Sequence, residues 1–596
     1  MNIRNTITKT KNRIDVDLDA LDLNYIPDVT PAKWQPTIKL TPYAQKSKVY
    51  LDIETTGLDP ERSKVIMVGL RDHQGTVTIF ADSNEKVLLQ RTINYLNVTK
   101  PDILIGHNVF NFDLPFLITR CKKHEINNNL KLGTQEKTIS SSSFQGAPIR
   151  FIPVYFGNTQ ILDTFQQLCV WDKSANKLTS YNLKYAVLTL KLREDKRLEL
   201  SNNQIQECYQ KGNLETIKTY LAYDLEDTEL LANFLIPIVY YQLKIVPNLF
   251  LQELAVASPA LKAQKIHQAL IKSESEPIAD IPYQYEGGKV TIHNSGIHRN
   301  VAKIDVSSLY PSIMLKYGIC SRKDPEHKFL GVLEYMTNER LKLKKLAKGG
   351  DLEADHQQNA LKILINGSYG FLGTGGYSFN DYEAAALVTA YGRKILNLME
   401  DLIKLNDGLL IESDTDGVIF SHPQPEPLFK GLSDGLPDGI KVELEYKNCV
   451  ASVPKAKNYT ILKPDGKIIN KGAKRTDLPV VNDFKVDYLK AYAVSEDAAQ
   501  GYYQGIVNDL KSGNYPLERL TITRKIAKSE KKLIEKGFGQ AGDTVSFYYG
   551  LDFKNNPTEV TTGDYHKEYY VSKIRELLAE MIGKIEDNNE QLFLKF

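Results

Sequence analysis

Short apolar runs, broken by polar and glycine-bearing stretches, begin at Lys48. VYLDIETTGL and KVIMVGLRD have the length and spacing of adjacent strands. The segment TISSSSFQGAP (138–148) reads as a loop by composition. TIKTYLAYDLEDTELLANFLIPIVYY (216–241) has helical spacing with acids on one side. YEGGKV (285–290) marks a glycine junction between domains. The stretch 338–370 predicts two helices joined at Lys348-Gly349-Gly350-Asp351, an αα-hairpin with a basic first arm. Residues 1–46 are polar, carry Pro27, Pro31 and Pro36, and read as an arm. The last hundred residues mix helices with one short strand, GDTVSFYYG (542–550). No internal repeat stands out.

At 596 residues the chain exceeds a single core, so several domains are expected. No apolar run reaches the length of a membrane span, and the basic, polar N-terminus does not read as a secretory signal. The five cysteines form no CxxC pair, which disfavours zinc modules and disulfide frameworks and makes a reducing cytoplasm the default. The net charge of +2 decides nothing. Its distribution is more informative: lysines crowd the stretch from Lys455 to Arg475, and a second basic stretch runs from Arg524 to Lys532. Such stripes can neutralise phosphates or simply face solvent.

Two groups of acids carry the chemistry. Asp52 and Glu54 in YLDIETTG are two positions apart on a strand, so they share a face. Side by side, two carboxylates repel unless a cation lies between them. Asp113 follows the strand-like DILIG, and Asp227 stands four residues after Tyr223, on the same helical face. In the second group, Asp305 ends an alternating strand, while Asp414 and Asp416 flank Thr415 in LIESDTDGVIF, a tight hairpin whose tip presents acids. Apolar flanks make exposed acids at such a turn costly unless they bind something.

In order and context, Asp52, Glu54, Asp113, Tyr223 and Asp227 resemble the motifs of the DEDDy 3′→5′ exonucleases across about 47–235. The resemblance implies two-metal phosphodiester hydrolysis. Asp52, Glu54 and Asp227 would hold two Mg²⁺ or Mn²⁺ ions, Asp113 would close the metal shell, and Tyr223 would orient the attacking water. Asn108 and Phe112 would hold the frayed strand by hydrogen bonding and stacking.

DVSSLYPS with SDTDG resembles motifs A and C of the family B DNA polymerases, and KILINGSYG resembles motif B, with Gly367 where serine is usual. That departure is expected to loosen the helix locally. By this resemblance Asp305 and Asp416 would bind two Mg²⁺ ions, with Asp414 beside them. Backbone N–H groups around Ser307, Ser308 and Leu309 would touch the triphosphate, and Tyr310 would be the steric gate against a 2′-hydroxyl. Arg340, Lys344 and Lys362 would neutralise the triphosphate. Asn366 and Tyr369 would pack on the nascent base pair, with Gly370 allowing close template approach. VPKAKNYTIL resembles the KxY element: Lys457 would reach the minor groove and Tyr459 the primer backbone, with Lys455 nearby. Tyr285, Gly287 and Gly288 resemble the YxGG element that joins exonuclease to polymerase.

The implied architecture is multidomain, α/β and α+β: a ribonuclease H-like exonuclease followed by a right-hand polymerase. Its expected parts are an arm (1–46), exonuclease (47–235), connector and start of palm (236–300), palm with motif A (301–330), fingers (331–375), palm with motif C and KxY (376–480) and thumb (481–590). The interval from Asp305 to Lys362 leaves room only for a bare helix pair as fingers and little for a protein-priming insertion. The tail QLFLKF resembles peptides that bacterial sliding-clamp partners insert into the clamp, through Gln591, Leu592, Leu594 and Phe596, and so suggests a bacterial or phage-like setting. Expected partners are primer–template DNA, dNTPs and a clamp, with the chain a cytoplasmic monomer off the membrane. Two other readings remain open: de novo priming, and a mainly nucleolytic or DNA-binding relative.

Overall fold

The computed structural model describes residues 3–583, except 145–146, 176, 179, 196, 272–282, 473–477, 527–530, 540–543 and 553–555. The chain folds into two compact units. One comprises Met1–Pro27, Gln284–Ile319 and Ala386–Phe596; the other comprises Asp28–Tyr283 and Cys320–Ala385. The expected arm is therefore divided. Its first part pairs Ile7–Lys9 with Ile14–Val16, buries Ile14 and Leu21, and is tied down by Lys394 Nζ, which donates to the carbonyls of Leu18 and Leu21. Its second part crosses the helix Lys328–Lys348 closely: a Cβ on Gly331 would lie 1.8 Å from the Ala32 carbonyl oxygen, and Trp34 meets Tyr335 edge-on at 5.3 Å.

In the second unit a five-stranded sheet runs Gln160–Asp163, Ile103–Gly106, Lys48–Thr55, Val65–Asp72, Val77–Ala81. The first three are parallel and the rest antiparallel. Val49, Leu51 and Ile53 are buried, which leaves Asp52 and Glu54 on the opposite face of their strand. Asp52 pairs across the sheet with Gly69, and a Cβ there would come within 2.8 Å of both Leu221 and Leu225. Glycine at 69 thus lets the helix Leu214–Tyr240 settle directly over the Asp52 strand. The polar segment expected as a loop at 138–148 is instead a hairpin, Lys137–Phe144 with Ala147–Phe151. Ile139, Ile149 and Phe151 anchor it in the core, and cross-strand pairing meets the backbone hydrogen-bonding need that composition could not reveal.

The same unit holds the expected helical hairpin, Lys328–Lys348 and Leu352–Gly367. It begins earlier than Asn338. Gly350 turns at φ +95°, and Asp351 caps the second helix by accepting from the Ala354 amide.

The first unit is built on a seven-stranded antiparallel sheet in the order Val290–Ile292, Leu409–Asp414, Gly417–Ser421, Gly296–Val306, Val442–Lys455, Asn458–Leu462, Ile468–Lys471. Its C-terminal part packs the helices Pro479–Val494, Glu496–Ser512 and Lys567–Met581 with a three-stranded sheet around Phe484, Leu489, Leu510, Phe547 and Tyr570. The expected strand at 542–550 is Thr544–Leu551.

Candidate active sites

Asp52 and Glu54 meet Asp224, not Asp227. Among the described residues no other group of three or more metal-ligating side chains lies together closely enough to share an ion; here one oxygen from each lies within 4.8 Å of the others. Asp227 is fully buried and neutralised from elsewhere, by Arg193 Nε at 2.7 Å and by Arg197. Tyr223 is displaced with it, its ring lying beneath the guanidiniums of Arg193 and Arg197 at 5.3 and 5.4 Å. The helix contains two overlapping Tyr-x-x-x-Asp patterns, Tyr220…Asp224 and Tyr223…Asp227. Packing of Leu221 and Leu225 on Gly69 selects the first.

Asp113 opens the helix Asp113–Lys123, and its Oδ1 accepts from the Ile53 amide at 3.2 Å. Burial, reinforced by neighbouring carboxylates, pushes Asp52 well above the usual range, Glu54 to about 8 and Asp113 to about 7. Lys184, on the Asn182-capped helix Leu183–Thr189, donates to the Tyr220 hydroxyl, and its charge opposes the upward shift of Glu54 and Asp224. An ion pair with Arg197 at 2.7 Å orients Asp224. Sequence reading missed Tyr220, Asp224, Lys184 and Arg197. Only the Tyr220…Asp224 pattern signalled any of them.

Asn108 takes a left-handed turn (φ +65°), donates its amide to Asp163, and lines an open cleft with Phe165, Tyr181 and the hairpin residues Pro148–Arg150. Phe112 lies half-buried against Phe116 at 5.5 Å.

In the other unit, Asp305 pairs across the sheet with Gly417, and Val306 donates its amide to the Asp416 carbonyl at 2.7 Å. A Cβ on Gly417 would fall 1.8 Å from Asp305 Oδ1, so only glycine admits this approach. Thr415 sits at φ +56°, a strained region for a β-branched residue, and its amide donates to the Lys289 carbonyl at 2.8 Å. Gly288 packs between Thr415 and Tyr310: a Cβ there would lie 2.9 Å from the Tyr310 hydroxyl. The carbonyls of Glu286 and Gly287 accept from Arg393. The YEGG segment therefore buttresses the acidic turn and the tyrosine.

Burial raises Asp305 to about 6, against the pull of Lys303, whose Nζ lies 2.6 Å from Oδ2. Burial also raises Asp416. For Asp414 burial acts in the same direction, but Lys471 at 2.9 Å and Lys457 at 3.2 Å outweigh it and hold the carboxyl below its usual range. Glu412 accepts from the Lys457 amide at 2.6 Å and lines the same pocket as the three aspartates.

Two matching stretches in the chain fit this geometry. Residues 38–186 match the model for the DNA polymerase family B exonuclease domain, and residues 331–424 match that for DNA polymerase family B. Together they support a family B DNA polymerase with an exonuclease domain. It is 25% identical to DNA polymerase 2 of Aeropyrum pernix over 562 residues, covering 84% of this chain and 66% of that one. It is 26% identical to the DNA polymerase delta catalytic subunit of Schizosaccharomyces pombe over 540 residues, covering 76% and 48%. The chain thus spans from about half to just under two thirds of these curated relatives. In fold it is similar to the family B DNA polymerase of Pyrobaculum calidifontis, with a TM-score of 0.60 and 19% identity, covering 91% of this chain and 79% of that one.

Three expectations drawn from this family need correction. The Ser307 amide is not available to a triphosphate: it donates to the Lys441 carbonyl at 2.8 Å, and the hydroxyl donates to Glu443. Ser308, at φ +54°, and Leu309 open the helix Leu309–Tyr317, whose first N–H groups lack intrahelical acceptors. Tyr459 is buried in the sheet core beside the carboxylates and lines the acidic pocket, with the Lys471 ammonium 5.7 Å from its ring, rather than standing exposed next to Lys457. Gly367 is the last residue of its helix and lies close against Pro259: a Cβ there would fall 2.7 Å from the proline Cβ, so serine would force a shift.

The other expected contacts fall on the surface. Lys455 and Lys457 are exposed at the end of the Val442–Lys455 strand and the turn after it. Lys362 and Asn366 share the exposed face of Leu352–Gly367, followed by half-buried Tyr369 and exposed Gly370. Arg340 and Lys344 are half-buried, one turn apart on Lys328–Lys348. Gln591, Leu592, Leu594 and Phe596 lie outside the described residues.

Proposed function

We propose that the chain is a DNA-directed DNA polymerase that extends a primer 3′-hydroxyl with dNTPs and removes mispaired ends by 3′→5′ hydrolysis at a second site. The observation that supports this most is the separation of two carboxylate sites by element and unit: Asp52, Glu54 and Asp224 over one sheet, Asp305 and Asp416 at one hairpin of another. Both donor sets are all-oxygen and anionic, which suits hard divalent cations, Mg²⁺ first with Mn²⁺ as substitute. When bound, such ions would supply charge neutralisation and activation of the attacking oxygen.

This chain's own groups would do the rest. Gly417 lets Asp305 approach the Asp416 turn, and Lys289 and Gly288 brace that turn. Tyr310, packed beneath Gly288 and Gly392, would stand as a fixed wall against a ribose 2′-hydroxyl. Lys362, Arg340 and Lys344 would neutralise triphosphate charge, and the N–H groups of Ser308 and Leu309 would contact it. In the exonuclease, Tyr220, held by Lys184, would take the water-orienting role expected of Tyr223. The cleft bearing Asn108, Phe165 and Tyr181 would receive the unpaired strand.

Among the described residues no helix is long and apolar enough to cross a membrane. A cytoplasmic monomer working with a sliding clamp is the setting we propose. The matched relatives are archaeal and eukaryotic, so they lend no support to a bacterial or phage-like host.

The deciding experiment is a pair of substitutions assayed on primed DNA. Asp416→Ala should abolish incorporation while leaving end degradation intact, and Asp52→Ala should do the reverse. Loss of both activities in either variant would overturn the two-site reading.

A further inference from the structure

We propose that Lys303 is a built-in counter-ion of the palm carboxylates, which holds Asp305 in place before a divalent ion arrives and weakens the binding of that ion. The inference rests on the reading that Asp305 and Asp416 hold divalent cations.

Lys303 and Asp305 are two residues apart on Gly296–Val306, so both project from the same face. The ammonium lies 2.6 Å from Asp305 Oδ2 and 2.8 Å from Glu445 Oε2 on the neighbouring strand. The Lys303 side chain is only 14% exposed, so little water competes for these contacts. The ring of Tyr446, its cross-strand partner, lies 5.8 Å from the ammonium and closes another side. A compact cation with three donors thus occupies one Asp305 oxygen, Oδ2, and sets a positive charge beside the other, Oδ1, which faces the Gly417 turn. Either the lysine gives up Asp305 and stays on Glu445, or it remains as a positive charge beside the entering ion. Both alternatives penalise metal entry.

The exonuclease site is organised differently. Its three acids face one another, and its lysine, Lys184, donates to a tyrosine hydroxyl. One chain therefore carries two carboxylate sites: in the exonuclease a cation, Arg197, pairs with Asp224 and, among the described residues, none pairs with Asp52 or Glu54, whereas in the palm an ammonium is seated on Asp305 itself. The exonuclease site serves as an internal control.

The test uses the full chain carrying Asp52→Ala and Glu54→Ala, so that bound Mn²⁺ reports the palm, with free Mn²⁺ read by electron paramagnetic resonance. Adding Lys303→Met should tighten Mn²⁺ binding about fivefold or more, because one nearby positive charge is lost. Lys303→Arg, which keeps the charge, should stay within about twofold of the parent. In the exonuclease-competent chain, Lys303→Met should lower the half-saturating Mg²⁺ for primer extension by a similar factor and leave that for 3′ hydrolysis unmoved. Unchanged or weaker Mn²⁺ binding in Lys303→Met would overturn the proposal. So would a raised KM for dNTP or DNA at constant Mn²⁺ affinity, which would make Lys303 a phosphate contact. If the parent double variant binds no Mn²⁺, or Asp416→Asn fails to weaken it, the metal reading of the palm falls and the inference with it.

Discussion

The two carboxylate sites meet the same electrostatic problem with different amounts of cationic cover. Over the exonuclease sheet, Asp52, Glu54 and Asp113 crowd one another and their proton affinities rise, with Arg197 paired to the fourth acid, Asp224. In the palm, lysines sit on the acids: Lys303 on Asp305, and Lys457 and Lys471 on Asp414. The first site stores repulsion that a divalent cation would relieve. In the second, lysines hold Asp414 low and offset part of the burial effect on Asp305 and Asp416, which still rise. Clustered acids alone therefore do not tell how hungry a site is for metal; the nearest ammonium has equal weight.

The sharpest way to break this comparison lies within one helix. Asp224→Ala should reduce 3′ hydrolysis by about 10³-fold with synthesis unchanged. Asp227→Asn should act through folding, since it takes one carboxylate from buried Arg193 and Arg197, which keep Asp195, Glu226 and Asp224, at a cost of about 1–3 kcal/mol. Urea melts scored beside the hydrolysis assay separate the two. Equal catalytic loss with no stability change in Asp227→Asn would return the metal role to Asp227.

Next in size is Gly417→Ala. The added methyl would collide with Asp305, and primer extension should fall about 10²-fold through misplacement of about an ångström. Hydrolysis of a single strand should be untouched. Normal extension by this variant would mean that the close approach of Asp305 to the turn is dispensable.

The smallest expected effect is a pH dependence. Glu54 rises from 4.5 to about 8 on folding, so the folded state holds the extra proton between those values. Stability without metal should therefore fall as pH rises through that window. In chelator, the melting temperature should drop by about 2–4 °C between pH 6 and pH 8, and Mg²⁺ should remove the drop. Asp414, held low by lysines, should add nothing over this range. A melting temperature in chelator that did not change with pH would show that the exonuclease acids are not strained.

Much of this was readable from patterns that repeat a local geometry. Spacing of two on a strand placed Asp52 with Glu54, and the Asp-Thr-Asp-Gly turn placed two acids at a hairpin tip. The helix pair expected as fingers followed from its spacing and its glycine joint. The errors came where two local solutions were equally good. Tyr220…Asp224 and Tyr223…Asp227 are both sound helical pairs, and nothing in the helix ranks them. The Ser-rich stretch near 140 looked like a loop because its composition is polar, yet pairing and three buried hydrophobes make it a hairpin. Ser307 and Tyr459 stood in familiar contexts, but a neighbouring carbonyl and a packed sheet had already claimed them.

By itself, then, the sequence determined the chemistry available: which carboxylates exist, in what order, on which kinds of element, and that cations and a tyrosine lie at helical spacing between them. Those are properties of nearest neighbours and of backbone period. Only the tertiary structure decided which acid joins which. That choice depends on close approaches between distant segments — Gly69 to Leu221 and Leu225, Gly417 to Asp305, Gly367 to Pro259 — where the absence of one Cβ sets the packing. It likewise decided where each lysine and arginine rests, because a long flexible cation takes whichever anion the fold brings within reach.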